Sequence, residues 1–125
     1  MKILVIEDHP AELRLAHHVL SAAGHEVADA DAAEQAFEKI RQDRPDVILL
    51  DMNLPGMDGL ILARKLKSHP ETRDIHIVAV SSYPERYPKD EVLKAGCDAF
   101  LGKPLSTRTL PQQLSDIVAK PERGE

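Results

Sequence analysis

Cysteine occurs once, at Cys97, which excludes an internal disulfide and suits a reducing compartment. Tryptophan is absent and aromatic residues make up 3% of the chain, so any core must be built from aliphatic side chains. No run of lysine or arginine occurs, and the formal net charge is −5. With nothing to neutralise a row of phosphates, direct nucleic-acid binding is not expected, nor is adhesion to an anionic membrane surface. The longest apolar runs fall far short of the roughly 20 residues that cross a bilayer. Met1-Lys2 leads straight into a strand-like segment, without the apolar centre of a signal peptide. Internal repeats and low-complexity tracts are also missing.

What is present is an alternation. The 125 residues suffice for one domain. Short apolar runs between turn signals predict strands near 2–7, 26–30, 47–51, 75–80 and 98–101. Helices are predicted near 10–23, 32–42, 58–68, 87–95 and 106–119. Leu13, Ala16, Leu20 and Ala23 repeat at helical spacing, with Gly24 behind them as a natural C′ residue. Leu110, Leu114, Ile117 and Val118 make one stripe behind Ser106, a suitable N-cap. Five βα units imply right-handed crossovers and an α/β fold, a parallel sheet between two helical layers. Uninterrupted runs such as Val47-Ile48-Leu49-Leu50 suit strands covered on both faces.

Charge collects where those strands end. Glu7 and Asp8 follow the first, Asp51 ends the third, Ser81 follows the fourth and Lys103 lies just past the fifth. Parallel sheets bring such ends to one edge, where open α/β sheets hold ligands. Carboxylates crowded together repel one another unless a cation intervenes. An oxygen-rich site of this kind suits Mg²⁺, which takes one or two carboxylates plus phosphate oxygens. Lys103 offers a second, compact cation for a phosphoryl oxygen, and the Ser81 hydroxyl a hydrogen bond. Asp51 is then placed as a nucleophile of the aspartyl-phosphate type.

These marks resemble the response regulator receiver domains of two-component signalling. They are Glu7-Asp8, the segment Asp51-Met52-Asn53-Leu54-Pro55-Gly56-Met57-Asp58-Gly59, Val80-Ser81-Ser82 and Gly102-Lys103-Pro104. The intervals from Asp51 to Ser81 and to Lys103 match the family, and the similarity spans about 1–119, leaving 120–125 as a short tail or the start of a linker. The resemblance implies a flavodoxin-like, doubly wound, five-stranded parallel sheet in the order 2-1-3-4-5, with five helices. It implies that Asp51 is phosphorylated, in a Mg²⁺-dependent reaction, by a histidine kinase or phosphotransfer protein. Asp8, Asp51 and the carbonyl of Asn53 would ligate Mg²⁺, and Glu7 would act through a metal-bound water. Ser81 and Phe100 would form the switch, Lys103 would pair with the phosphoryl oxygen, and the Lys103–Pro104 peptide would be cis. Output would pass by protein contact through the fourth helix, fifth strand and fifth helix, about 87–119. Such a chain would catalyse only its own phosphorylation and dephosphorylation. It would be cytoplasmic, act without a membrane, and be a monomer or a weak phosphorylation-dependent dimer. A stand-alone regulator is the expected form.

Each residue alone has a plainer reading. Asp favours caps and turns after strands, Ser81 suits a turn, Lys103 a solvated surface, and Phe100 a partly buried core position. Pro55-Gly56 reads as a type II turn and Gly59 as a backbone accommodation. Their common register selects the functional reading. Two other classes fit less well. A Mg²⁺-dependent phosphatase with an aspartyl nucleophile wants a second acid where Asn53 stands, and a receiver-shaped module indifferent to phosphate would not need the full set. Zinc is unsupported: His17 and His18 point about 100° apart on a helix, His9 belongs on a loop, and Cys97 has no partner at ligand spacing.

Three departures from the usual pattern stand out. Ser81 replaces the commoner threonine, keeping the hydroxyl and losing a methyl. Ser82 stands where a small residue admits the phosphoryl group. Two prolines in Tyr83-Pro84-Glu85-Arg86-Tyr87-Pro88 delay the fourth helix to about Pro88, and the Tyr83 ring is expected to screen the phosphoryl group partly from water.

Overall fold

In the computed structural model, which describes residues 1–54 and 58–119, five parallel strands form one sheet. They are β1 (Lys2–Ile6), β2 (Glu26–Ala30), β3 (Val47–Asp51), β4 (His76–Ser81) and β5 (Ala99–Gly102), ordered β2-β1-β3-β4-β5 as expected. The helices are α1 (Pro10–Ala22), α2 (Ala33–Gln42), α3 (Gly59–Ser68), α4 (Lys89–Lys94) and α5 (Leu110–Ala119). None of the described helices is long and apolar enough to cross a membrane.

Period-two alternation divides the apolar runs between the two faces of the sheet. Ile3, Val5, Val47, Leu49, Val78 and Val80 pack with Ala16 and Leu20 of α1 and Leu110 and Leu114 of α5. The intervening Leu4, Ile6, Ile48, Leu50, Ile77 and Ala79 pack with Ala36 and Ile40 of α2, Leu62 and Leu66 of α3, and Val92 of α4. Both faces are covered, so every residue of β3 is buried.

Helix ends follow local chemistry. The Asp58 carboxylate accepts from Leu60 N–H at 2.8 Å and caps α3, which therefore starts at Gly59. Gly24, just past α1, has φ +94°, the left-handed C′ conformation expected of it. Ala23 is the exposed C-cap and not part of the buried stripe.

The expected fifth helix over 106–119 is shorter than that. α5 begins at Leu110, although the Ser106 carbonyl already accepts from Leu110 N–H at 2.9 Å. Pro111 explains the delay: it has no N–H to give an earlier turn, so it is tolerated only near the new N-terminus. The fourth helix also starts later than residue 87. A 3₁₀ turn over Pro84–Arg86 precedes it and Pro88 is its N-cap. The Pro55-Gly56 turn and the 120–125 tail lie outside the described residues.

Gly59 is placed by a close approach. A Cβ there would lie 2.6 Å from Met52 Cα and 2.9 Å from Met52 Sδ, and the Met52 carbonyl accepts from Gly59 N–H at 3.1 Å. Met52 is fully buried. Gly59→Ala is expected to cost about 1–3 kcal/mol, the usual penalty for overpacking, read as a lower urea midpoint at unchanged slope. A midpoint equal to wild type would show that the residue after β3 can move.

Candidate functional site

Strand order reverses between β1 and β3, so the crevice at their carboxyl ends is the topological switch point. Backbone bonds continue just beyond the strands and hold the loops of this crevice. Glu7 N–H donates to Ala30 O at 2.9 Å, Met52 N–H to Val80 O at 2.9 Å, and Lys103 N–H to Ser81 O at 2.8 Å. The residues that carry the side chains of interest are therefore extensions of a rigid ladder.

Glu7, Asp8 and Asp51 converge. One carboxylate oxygen from each lies within 4.8 Å of the other two, a group that can hold a metal ion. Glu7 and Asp51 are buried and Asp8 is exposed, so the cluster opens to solvent on the Asp8 side. The Lys103 ammonium donates to Glu7 Oε1 at 2.6 Å, to Glu12 Oε2 at 2.8 Å and, at 3.5 Å, to Asp51 Oδ2. Its three protons thus face three carboxylates. The Lys103–Pro104 peptide is cis, as expected.

Electrostatics follow from this crowding. Burial and the neighbouring Asp51 carboxylate push the Glu7 carboxyl up to about 7, against the opposing pull of Lys103. Burial alone would lower the Lys103 ammonium, but the hydrogen bonds it donates to Glu12 and Glu7 and the charge of Asp51 hold it above its ordinary value. Negative charge exceeds positive charge in the cleft, and the donors are hard oxygens. That donor set fits a divalent cation such as Mg²⁺ and not a soft metal.

On the β4 side, Ser81 is fully buried at the strand end. Its hydroxyl oxygen accepts from Tyr83 N–H at 2.9 Å and from Asn53 Nδ2 at 3.4 Å. Asn53 N–H donates to Asp51 Oδ1 at 3.0 Å. Ser81 and Asn53 are thus joined to Asp51 by one short chain of polar contacts. Phe100 is half-buried on β5, and Tyr87 meets it edge-on with ring centroids 6.4 Å apart at 86°.

Two residues of the site have no counterpart in the sequence reading. Glu12 reaches Lys103 from the first turn of α1, and nothing in its local pattern points there. Tyr87 donates its hydroxyl to Asn53 Oδ1 at 2.8 Å. Its clue was composition: a tyrosine between two prolines beside the expected pocket. Tyr83 engages Ser81 through its backbone, while its ring is exposed with the Arg86 guanidinium 4.5 Å from the centroid. Among the histidines, His17 pairs with Asp29 at 2.7 Å, and His9 is the N-cap residue of α1. Cys97 is buried, which pushes its thiol up to about 12 and leaves it unreactive.

The fold and the strand-end constellation define a class, and comparison with known proteins agrees. The response regulator receiver domain profile matches residues 3–115. The chain belongs to that family, a signalling domain of two-component systems. It is 39% identical over 104 residues to the response regulator PleD of Caulobacter vibrioides, covering 83% of this chain but only 23% of PleD. The polar-differentiation response regulator DivK of Brucella anthropi is 30% identical, with 83% of this chain and 85% of DivK covered. Among solved structures, the chemotaxis response regulator CheY4 of Vibrio cholerae superposes with a TM-score of 0.84 at 28% identity, over 93% of this chain and 97% of that one. A CheY-like receiver domain protein from Methanospirillum hungatei superposes at 0.85 with 27% identity, over 94% and 92%.

The raised Glu7 carboxyl has a pH consequence. Between its ordinary 4.5 and about 7 the folded chain holds a proton that the unfolded chain has released. Stability contributed by this group therefore falls as pH rises through that window. In chelator-containing buffer, wild type should lose unfolding free energy over this range relative to Glu7→Gln, by a slope approaching one proton. Parallel stability profiles of the two proteins would sink this assignment.

Proposed function

We propose that Asp51 is the phospho-acceptor of this receiver. A side-chain oxygen of Asp51 attacks the phosphorus of a phosphohistidine on a histidine kinase or phosphotransfer protein. The P–O bond forms as the P–N bond breaks, its electron pair staying on the imidazole, which takes up a proton. With a small donor such as acetyl phosphate, the leaving group is acetate. The observation that supports this reading best is the convergence on Asp51 of a lysine ammonium and two further carboxylates, with the buried Ser81 hydroxyl linked to it through Asn53. Positioning and charge neutralisation are what phosphoryl transfer requires of a protein.

In this reading Asp8, Asp51 and the Asn53 carbonyl hold Mg²⁺, with Glu7 acting through a water. The ion supplies neutralisation of the carboxylates and of the incoming phosphoryl oxygens. Lys103 and Ser81 take phosphoryl oxygens as hydrogen-bond donors, and Phe100 follows Ser81 as the switch aromatic. Residues 1–119 form the signalling unit. The face made by α4, β5 and α5, about 87–119, carries the signal to a protein target in the cytoplasm. Phosphate favours the active arrangement only by as much as it binds that arrangement better.

Incubation with Mg²⁺ and acetyl phosphate, followed by intact mass, tests the acceptor. Wild type should gain one phosphoryl group, the gain should require Mg²⁺, and Asp51→Asn should gain none. Equal labelling of Asp51→Asn would move the acceptor elsewhere. No labelling of wild type by this donor or by a phosphorylated histidine phosphotransfer protein would favour a module indifferent to phosphate.

A further inference from the structure

Glu12 is the carboxylate of the site that the acceptor chemistry leaves without a task. It sits in the first turn of α1, two residues after Pro10, and its side chain is about half exposed. An acid there is ordinarily explained by the helix dipole. Glu12 instead reaches a lysine 91 positions away, at 2.8 Å, while the Lys103 side chain is only 11% exposed.

The three contacts of Lys103 are unequal. Glu7 and Glu12 hold the ammonium at 2.6 and 2.8 Å, and Asp51 stands off at 3.5 Å. The lysine is therefore drawn toward Glu7 and Glu12 and away from the acceptor. Glu7 belongs to the acidic cluster with Asp8 and Asp51, whereas Glu12 does not. A cation entering the cluster competes with Lys103 for Glu7 and leaves the Glu12 contact intact. A phosphoryl oxygen on Asp51 draws the same ammonium toward β3, against the pull of Glu12. A cavity of about 100 Å³, lined by Glu12, Lys103, Leu15 and Leu105 among others, adjoins the pair.

We propose that Glu12 is a positioning residue that holds the Lys103 ammonium on the α1 side and so sets how readily Asp51 is loaded with a phosphoryl group. The inference rests on the acceptor reading above. A contact made in the unloaded state and given up in the loaded one disfavours loading by its own worth. For a half-exposed charge pair that worth corresponds to about a two- to fivefold effect.

Two substitutions separate contact from charge. Glu12→Gln keeps the reach and removes the charge; Glu12→Asp keeps the charge and is one methylene too short for the contact. With Mg²⁺ and acetyl phosphate, followed by intact mass, both variants should load about two- to fivefold faster than wild type. Both should bind Mg²⁺–beryllofluoride more tightly by a similar factor. If only Glu12→Gln is faster, Glu12 acts merely as a distant negative charge on an anionic donor, and the proposal fails. Rates and affinities equal to wild type in both variants also overturn it, while leaving the acceptor reading standing. A wild type that takes no phosphoryl group removes both.

Discussion

A single ammonium shared among carboxylates governs the arrangement at the carboxyl end of this sheet. Glu7 and Asp51 are both buried, at the ends of adjacent strands, where two negative charges would repel at close range. Lys103 relieves that repulsion from the other side of the cleft, and a fully satisfied site results: no buried side-chain nitrogen or oxygen among the described residues lacks a partner. The same balance leaves the site short of positive charge. The cleft is stable enough to form and still offers an acidic cluster that can hold a cation.

The core explains why these groups meet so reproducibly. Each strand divides its apolar residues between the two faces by simple alternation, and Glu7, Asp8, Asp51, Ser81 and Lys103 lie at or just beyond strand ends. A register shift of one residue on β3 would turn Asp51 to the opposite face and bury the wrong set of side chains. Packing thus specifies the chemistry indirectly. The requirement that Ile48 and Leu50 face α3, and Val47 and Leu49 face α1, fixes where the next carboxylate points.

Strands were legible because apolar runs are a short-range signal, while the strand-end residues and the strand order were legible through marks in register with a known family. Helix starts were less so. The apolar stripe behind Ser106 predicts a helix from 106, whereas the missing N–H of Pro111 makes Leu110 the start. The contacts of Glu12 and Tyr87 escape the sequence for a different reason. Their partners, Lys103 and Asn53, lie 91 and 34 positions away, and no local pattern encodes that distance. Tyr83 drew attention by its position two residues past Ser81, yet the tyrosine whose hydroxyl reaches Asn53 is Tyr87. That placement joins Asn53 to Phe100 through one side chain, so the loop after β3 and β5 share a neighbour.

The Ser81 hydroxyl is also the acceptor for the Tyr83 amide. If that oxygen turns toward another group, the amide is stripped of its partner and faces water beside an exposed ring. Solvent exchange of the single proton on Tyr83 nitrogen is therefore a local clock on where the serine points.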